Sequence, residues 1–175
     1  MKDSWVILLV LAGVMAPRTG NAQAEIYGQV SASEFTNLIY TDWLYGATAG
    51  ALLDGPTLLH HVVLSADIQG RFLRKTNEQM NGVTVGPRFS LPIKRHGLTP
   101  YGEFMVGFAR FNSTYIYITG ATTDSTIQIN AGLAKQITPR WDASLDYSYA
   151  QYDAFGGEYN PKTFSAGVIY HFVKR

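Results

Sequence analysis

The sequence predicts an all-β protein: an eight-stranded antiparallel up-and-down transmembrane β-barrel preceded by a cleavable signal peptide. Three observations carry that expectation. The N-terminus reads as an export leader, most of the remaining chain alternates apolar and polar residues, and turn residues recur at fairly even intervals.

The leader comes first. Lys2 supplies a positive start, Trp5 to Ala16 run without a charge, and Ala22-Gln23-Ala24 forms a small-x-small cleavage site. An uncharged stretch of that length is too short to cross a hydrocarbon core, which needs about 20 residues, so a single membrane anchor is disfavoured. Cleavage after Ala24 divides the chain into a signal peptide, residues 1–24, and a barrel, residues 25–175. There is no cysteine, hence neither a disulfide nor a lipoprotein acylation site.

Removing Lys2, Arg18 and Asp3 from the 14 basic and 13 acidic residues leaves 12 of each. A balanced mature chain offers no electrostatic case for nucleic acid as a partner. No stretch after the leader is long and apolar enough for a helical span.

Turn residues and alternation define eight strands, at about 25–35, 43–53, 58–74, 83–91, 99–111, 126–137, 140–152 and 162–173. The connections differ in character. Asp54-Gly55-Pro56, 92–98 and Thr138-Pro139 are short or stiff, whereas 36–42, 75–82, 112–125 and 153–161 are mostly longer and polar. Tight turns at one end and longer loops at the other place the loops outside the cell.

Each strand has two unlike faces. Trp141, Ala143, Leu145, Tyr147 and Tyr149 alternate with Asp142, Ser144, Asp146 and Ser148. Ile127, Ile129 and Leu133 stand against Gln128 and Asn130, and Leu64 and Ile68 against Ser65, Asp67 and Gln69. A closed barrel satisfies every backbone group inside hydrocarbon, with the apolar face toward lipid. Trp43, Tyr45, Trp141 and Tyr149 fall near strand ends, where an aromatic girdle belongs.

The last strand reads Ser165-Ala166-Gly167-Val168-Ile169-Tyr170-His171-Phe172, followed by Val173-Lys174-Arg175. It resembles the C-terminal β-signal of bacterial outer-membrane proteins, which usually ends on the aromatic itself. The matched positions are Ser165, Gly167, Tyr170 and Phe172. With the leader and the strand pattern, the chain from Glu25 to Phe172 resembles the eight-stranded outer-membrane β-barrel family of the OmpA transmembrane-domain type. That resemblance implies the outer membrane of a Gram-negative cell envelope, reached after secretion across the inner membrane. It also implies contact with outer-membrane lipid and with the insertion machinery during assembly. The family's functions are broad, covering membrane integrity, adhesion, recognition or narrow solute passage. A monomer without a following peptidoglycan-binding domain is expected.

An eight-stranded barrel is just wide enough for side chains to fill it. Pointing the polar face inward sets Asp67, Arg71, Arg88, Glu103, Asp142 and Asp146 in the lumen. Counting through the turns sets Arg88 opposite Glu103, with Asp67 near Arg88 from the other side. Buried charges left unpaired are costly, so a plugged or very narrow lumen follows.

Catalysis finds little support. His60, His61, His96 and His171 all fall near the tight-turn end, and none sits beside an obvious serine and acid. No catalytic, cofactor or metal site is expected, and a lipid A-modifying barrel enzyme is disfavoured. The main alternative is a soluble periplasmic lipocalin-like barrel that binds an apolar ligand. Such a barrel would turn Trp141, Leu145 and Tyr147 inward and Asp142 and Asp146 outward.

Overall fold

The computed structural model describes residues 23–36, 41–58, 61–115, 118–154 and 157–172. The expected leader lies outside them apart from Gln23 and Ala24, as do His60 and Val173. Eight long strands follow in order: β1 (Ala24–Thr36), β2 (Thr41–Leu58), β3 (Val62–Lys75), β4 (Glu78–Ser90), β5 (Leu98–Tyr115), β6 (Ile118–Thr138), β7 (Trp141–Ala154) and, after the short β8 (Gly157–Tyr159), β9 (Lys162–His171). Each long strand pairs antiparallel with its neighbour in sequence, and β9 pairs with both β7 and β1, which closes the sheet on itself.

The register fixes the barrel's geometry. The row Gln151, Ile127, Val106, Val85, Ile68, Ala51, Ile26, Tyr170 and Trp141 runs once around the wall from partner to partner. It returns to β7 at Trp141, ten residues from its start at Gln151 (151 less 141). A shear of ten over eight strands implies a strand tilt of about 40°. The start of β1, the end of β9 and the ends of β2, β4 and β6 share one end with the turns at 91–97 and 139–140, the periplasmic end in barrels of this architecture.

Alternation then sorts the side chains by physical environment. Val30, Phe108, Leu145 and Ile129 point outward, at 72, 67, 62 and 58% exposure. Their chain neighbours Gln29, Ser144, Gln128 and Asn130 are buried inside. The apolar face therefore looks outward, which rules out the lipocalin-like orientation.

Three connections differ from their sequence-based reading. Asp54-Gly55-Pro56 is not a turn; β2 continues to Leu58, with a register shift between Asp54 and Thr57. A bulge tolerates Pro56 because proline has no N–H to give to the ladder. The reverse turn comes later, where His61 N–H donates to Leu58 O at 3.2 Å. Residues 75–82 are not a long loop either, since β3 and β4 run on to a two-residue turn at Thr76-Asn77. Likewise most of 112–125 is strand, β5 and β6 pairing out to Tyr115 and Ile118. The polar threonines and asparagines that suggested loop keep strand pairing beyond the apolar belt, while inward positions such as Glu78 and Ser113 stay buried.

Two apolar clusters close the lumen. At the extracellular end Phe35, Leu44, Leu73, Met80, Phe111 and Tyr152 are buried together, and β8 lays Tyr159 on them. The rings of Tyr152 and Tyr159 stack at 5.9 Å between centroids, and those of Phe35 and Phe111 at 5.7 Å. Toward the periplasmic end Tyr27, Leu52, Tyr101, Ala134 and Ile169 form the second cluster.

Candidate functional site

Between the two clusters lies a polar layer built from inward positions of β1, β3, β4, β5, β6 and β7. Two tyrosines organise it. Tyr27 faces Gly50 across β1 and β2, and Tyr101 faces Gly132 across β5 and β6. A Cβ on either glycine would run into the tyrosine ring, so each ring lies flat across its partner and projects its hydroxyl into the lumen.

Tyr27 donates to both carboxylate oxygens of Asp67, at 3.1 and 3.2 Å, and accepts from Gln69 Nε2 at 3.1 Å. Gln69 Oε1 in turn accepts from Arg71 Nη2 at 3.2 Å and from Gln128 Nε2 at 3.0 Å. Gln128 also donates to Asn130 Oδ1 at 2.6 Å, and Asn130 Nδ2 donates to Glu103. Glu103 Oε1 stands 3.3 Å from Arg88 Nε, with both side chains almost wholly buried. The Arg88 guanidinium lies 3.4 Å from the centroid of the Tyr101 ring. Tyr101 donates to Asp146, as does Gln29, which also donates to Ser144 Oγ at 3.0 Å. The result is a continuous polar chain from Asp67 to Arg88, and through Tyr101 to Asp146.

Five of the six charges named from sequence are buried: Asp67, Arg71, Arg88, Glu103 and Asp142, with Asp146 half-buried. Arg88 and Glu103 are cross-strand partners. Asp67 is close enough to Arg88 for the two charges to act on each other, as expected, but the direct ion pair of Arg88 is with Glu103. The register sets Ser65 opposite Arg88 and Asp67 opposite Gly86, and the Asp67 carboxylate turns to Tyr27. Arg71 sits nearer the extracellular end and donates to Thr163 Oγ1 at 3.3 Å and to Gln69, two neutral acceptors.

Asp142 belongs to a separate cluster at the periplasmic mouth. His171 Nδ1 is 2.8 Å from Glu25 Oε1, and His171 Nε2 is 3.1 Å from Asp142 Oδ2. The three residues tie β1, β9 and β7 together at the closing seam. Glu25 and the tyrosines Tyr27 and Tyr101 were missed from sequence. Their signal was available, since Glu25, Tyr27, Gln29, Ser31 and Ser33 share one alternating phase on β1.

The aromatic positions mark the two rims. Trp43 pairs with Glu34, Glu34 with Lys162, and Lys162 with Tyr149, so Trp43 and Tyr149 share a row toward the extracellular end, with Tyr45 just below Trp43. Trp141 lies at the opposite rim, 4.8 Å from Tyr170 between centroids, and Tyr170 lies 5.3 Å from Phe172. Tyr170 and Phe172 of the terminal octapeptide thus face outward, while Ser165 is buried, accepting or donating at 2.8 Å with Ser31 Oγ. Gly167 lies at the β1–β9 seam, where an added Cβ would meet the Gly28 carbonyl.

A closed, sheared eight-stranded barrel with an apolar belt and a hydrogen-bonded interior defines an outer-membrane β-barrel protein. The chain belongs to the outer membrane protein β-barrel domain family, whose model matches residues 5–172. Its place is the bacterial outer membrane. Three solved structures share the fold. Neisserial surface protein A superposes with a TM-score of 0.67 at 12% identity, covering 85% of this chain and 97% of that one. Ail, the attachment invasion locus protein of Yersinia pestis, gives 0.57 at 15% identity over 87% and 100%. Outer membrane protein H of P. aeruginosa gives 0.53 at 13% identity over 86% and 100%. No curated protein matches the sequence significantly.

Proposed function

We propose that this protein is a non-enzymatic, sealed outer-membrane barrel that serves the membrane structurally and meets the outside through its extracellular strand extensions. The observation that carries the reading is the filled lumen: one connected polar chain from Asp67 to Asp146, capped by an apolar cluster at each end. Solute passage would require breaking buried, charge-assisted hydrogen bonds, which are stronger than neutral ones. His171, with a carboxylate at each ring nitrogen, is clamped and not poised to activate a nucleophile. The long β5–β6 hairpin offers recognition surface above the membrane. Ail, a neighbour in fold, is an attachment protein by its name.

Planar-bilayer recording of the refolded protein tests the seal. Current at the baseline level supports it, and long-lived open events of fixed size reject it. Incubation with radiolabelled lipopolysaccharide tests the absence of enzymatic action, because any change in acylation would reject that part of the reading.

A further inference from the structure

Charge is unevenly divided between the two ends of the barrel. At the extracellular end the signs are mixed: Lys75 pairs with Asp42, and Lys162 stands opposite Glu34. At the periplasmic end the acids turn inward. Glu25 and Asp142 are buried against His171, and half-buried Asp54 accepts from Ser65 Oγ at 2.7 Å. The exposed Lys and Arg residues there, among the described side chains, are Arg95, Lys135 and Arg140, with no exposed Asp or Glu beside them. None of the three makes an ion pair among the described residues.

Two of these cations are brought together by the fold. Lys135 lies on the outward face of β6 between Leu133 and Ile137, which are 40 and 62% exposed at the foot of the apolar belt. Its ammonium turns away from lipid and donates to the carbonyl of His96, while Gln136 N–H donates to Gly97 O at 2.8 Å. Gly97, at φ 58°, carries the chain from the 3-10 turn Lys94–His96 back against β6, where a Cβ would lie 3.9 Å from Lys135 Nζ. The Lys135 ammonium is therefore one residue from Arg95 and within about 9 Å of its Cα, a gap that a phosphate and an arginine side chain together fill. An ammonium has three N–H donors, of which His96 takes one, and a guanidinium offers a fork that fits phosphate oxygens.

The wall on the membrane side of this pair is indented. Outward positions of β5 and β6 pair Pro100 with Leu133, then Gly102 with Ala131, then Phe104 with Ile129. Along the Gly102–Ala131 row the next residues are Phe89 and Tyr147. Two small residues framed by these large ones form a shallow trough on the lipid-facing surface, leading toward Lys135.

We propose that this part of the periplasmic rim binds an anionic glycerophospholipid of the inner leaflet, its phosphate held by Lys135 and Arg95 and one acyl chain in the Gly102–Ala131 trough. Position selects the occupant: Lys135 stands on the lipid-facing wall and is reached from within the leaflet, whereas a soluble polyanion would have no use for the trough. Charge selects the headgroup, because a zwitterionic lipid brings its own ammonium to a site that already has two cations.

Native mass spectrometry of the folded protein in neutral detergent tests this with phosphatidylglycerol and phosphatidylethanolamine of matched acyl chains and with dihexanoyl phosphatidylglycerol. Long-chain phosphatidylglycerol should be retained about fivefold or more tightly than either of the others. Arg95→Gln with Lys135→Gln should erase the preference over phosphatidylethanolamine, and Arg74→Gln with Arg110→Gln, at the opposite end, should leave it intact. Ala131→Phe, which fills the trough, should weaken both long-chain lipids alike. All variants are taken from the heat-modifiable, folded band, so loss of binding is read on folded protein. Equal retention of the two long-chain lipids, or a preference that survives in the Arg95 and Lys135 double variant or vanishes in the Arg74 and Arg110 one, would overturn the proposal. Short-chain phosphatidylglycerol bound as tightly as long-chain, or no effect of Ala131→Phe, would overturn it as well, by showing that the rim holds a headgroup anion without its acyl chain.

Discussion

Arg88 on β4 and Glu103 on β5 face each other across one rung of the ladder, 3.3 Å apart, and the Arg88 guanidinium sits 3.4 Å from the centroid of the Tyr101 ring, two residues before Glu103. Both side chains are almost wholly buried. Removing one partner leaves a buried charge unpaired, a loss of about 3 to 5 kcal/mol, whereas replacing both with apolar residues is often close to neutral. Arg88→Ala should therefore lower the midpoint of thermal or urea unfolding in detergent much further than Arg88→Leu combined with Glu103→Leu. Additive effects of Arg88→Ala and Glu103→Ala in a double-mutant cycle would show that the two do not act as a pair.

Tyr27 should matter through a single oxygen. Tyr27→Phe keeps the ring packed on Gly50 but strips Asp67 of the donor to both its oxygens. Leaving a buried acceptor unmet costs about 1 to 3 kcal/mol, more for a charged group. Urea unfolding should register that loss for Tyr27→Phe. Adding Asp67→Leu should recover part of it, and no recovery would mean the Tyr27–Asp67 contact is incidental.

Much of this was legible in the sequence, for reasons that differ by residue. The eight strands announce themselves because one face meets lipid and the other meets polar groups, so the alternation is enforced along β7 from Trp141 to Tyr149. The Arg88–Glu103 rung could be counted because the connection between β4 and β5 is nearly symmetric about Arg95. The Asp67 contact could not. Its partner Tyr27 sits two strands away, and a reach across the lumen depends on the shear of the whole ring, which no local count supplies. The Gln29–Asp146 contact, from β1 to β7, was illegible for the same reason. Asp54-Gly55-Pro56 misled because turn chemistry and bulge chemistry use the same residues.

Orientation of the faces gives a sharper mutational contrast. Leu145 is 62% exposed on the outer wall, between its cross-strand partners Leu133 and Ala166. An arginine there, near the bilayer midplane, should cost about 2 to 4 kcal/mol. The neighbouring change Asp146→Asn meets no lipid and should act only on Tyr101 and Gln29. Equilibrium unfolding in lipid vesicles distinguishes them. A harmless Leu145→Arg, with a spin label at position 146 reporting lipid contact, would mean that inside and outside are exchanged.

Assembly should depend on the closing strand. A side chain at Gly167 would push β9 from β1 at Gly28, and Phe172 belongs to the aromatic group with Tyr170 and Trp141 at the periplasmic rim. Gly167→Asp and Phe172→Ala should leave protein in the periplasm that extracts without heat modifiability. Normal insertion of the doubly substituted protein would reduce the terminal octapeptide to an ordinary strand.

The sealed lumen is most directly tested by single-channel recording of the parent protein beside Arg88→Ala at matched, heat-modifiable purity. The parent should hold baseline current, because the Asp67-to-Asp146 chain and the two apolar clusters fill the bore. Arg88→Ala, which breaks that chain at its charged centre, should raise the conductance. Steady, large openings in the parent protein would contradict the seal.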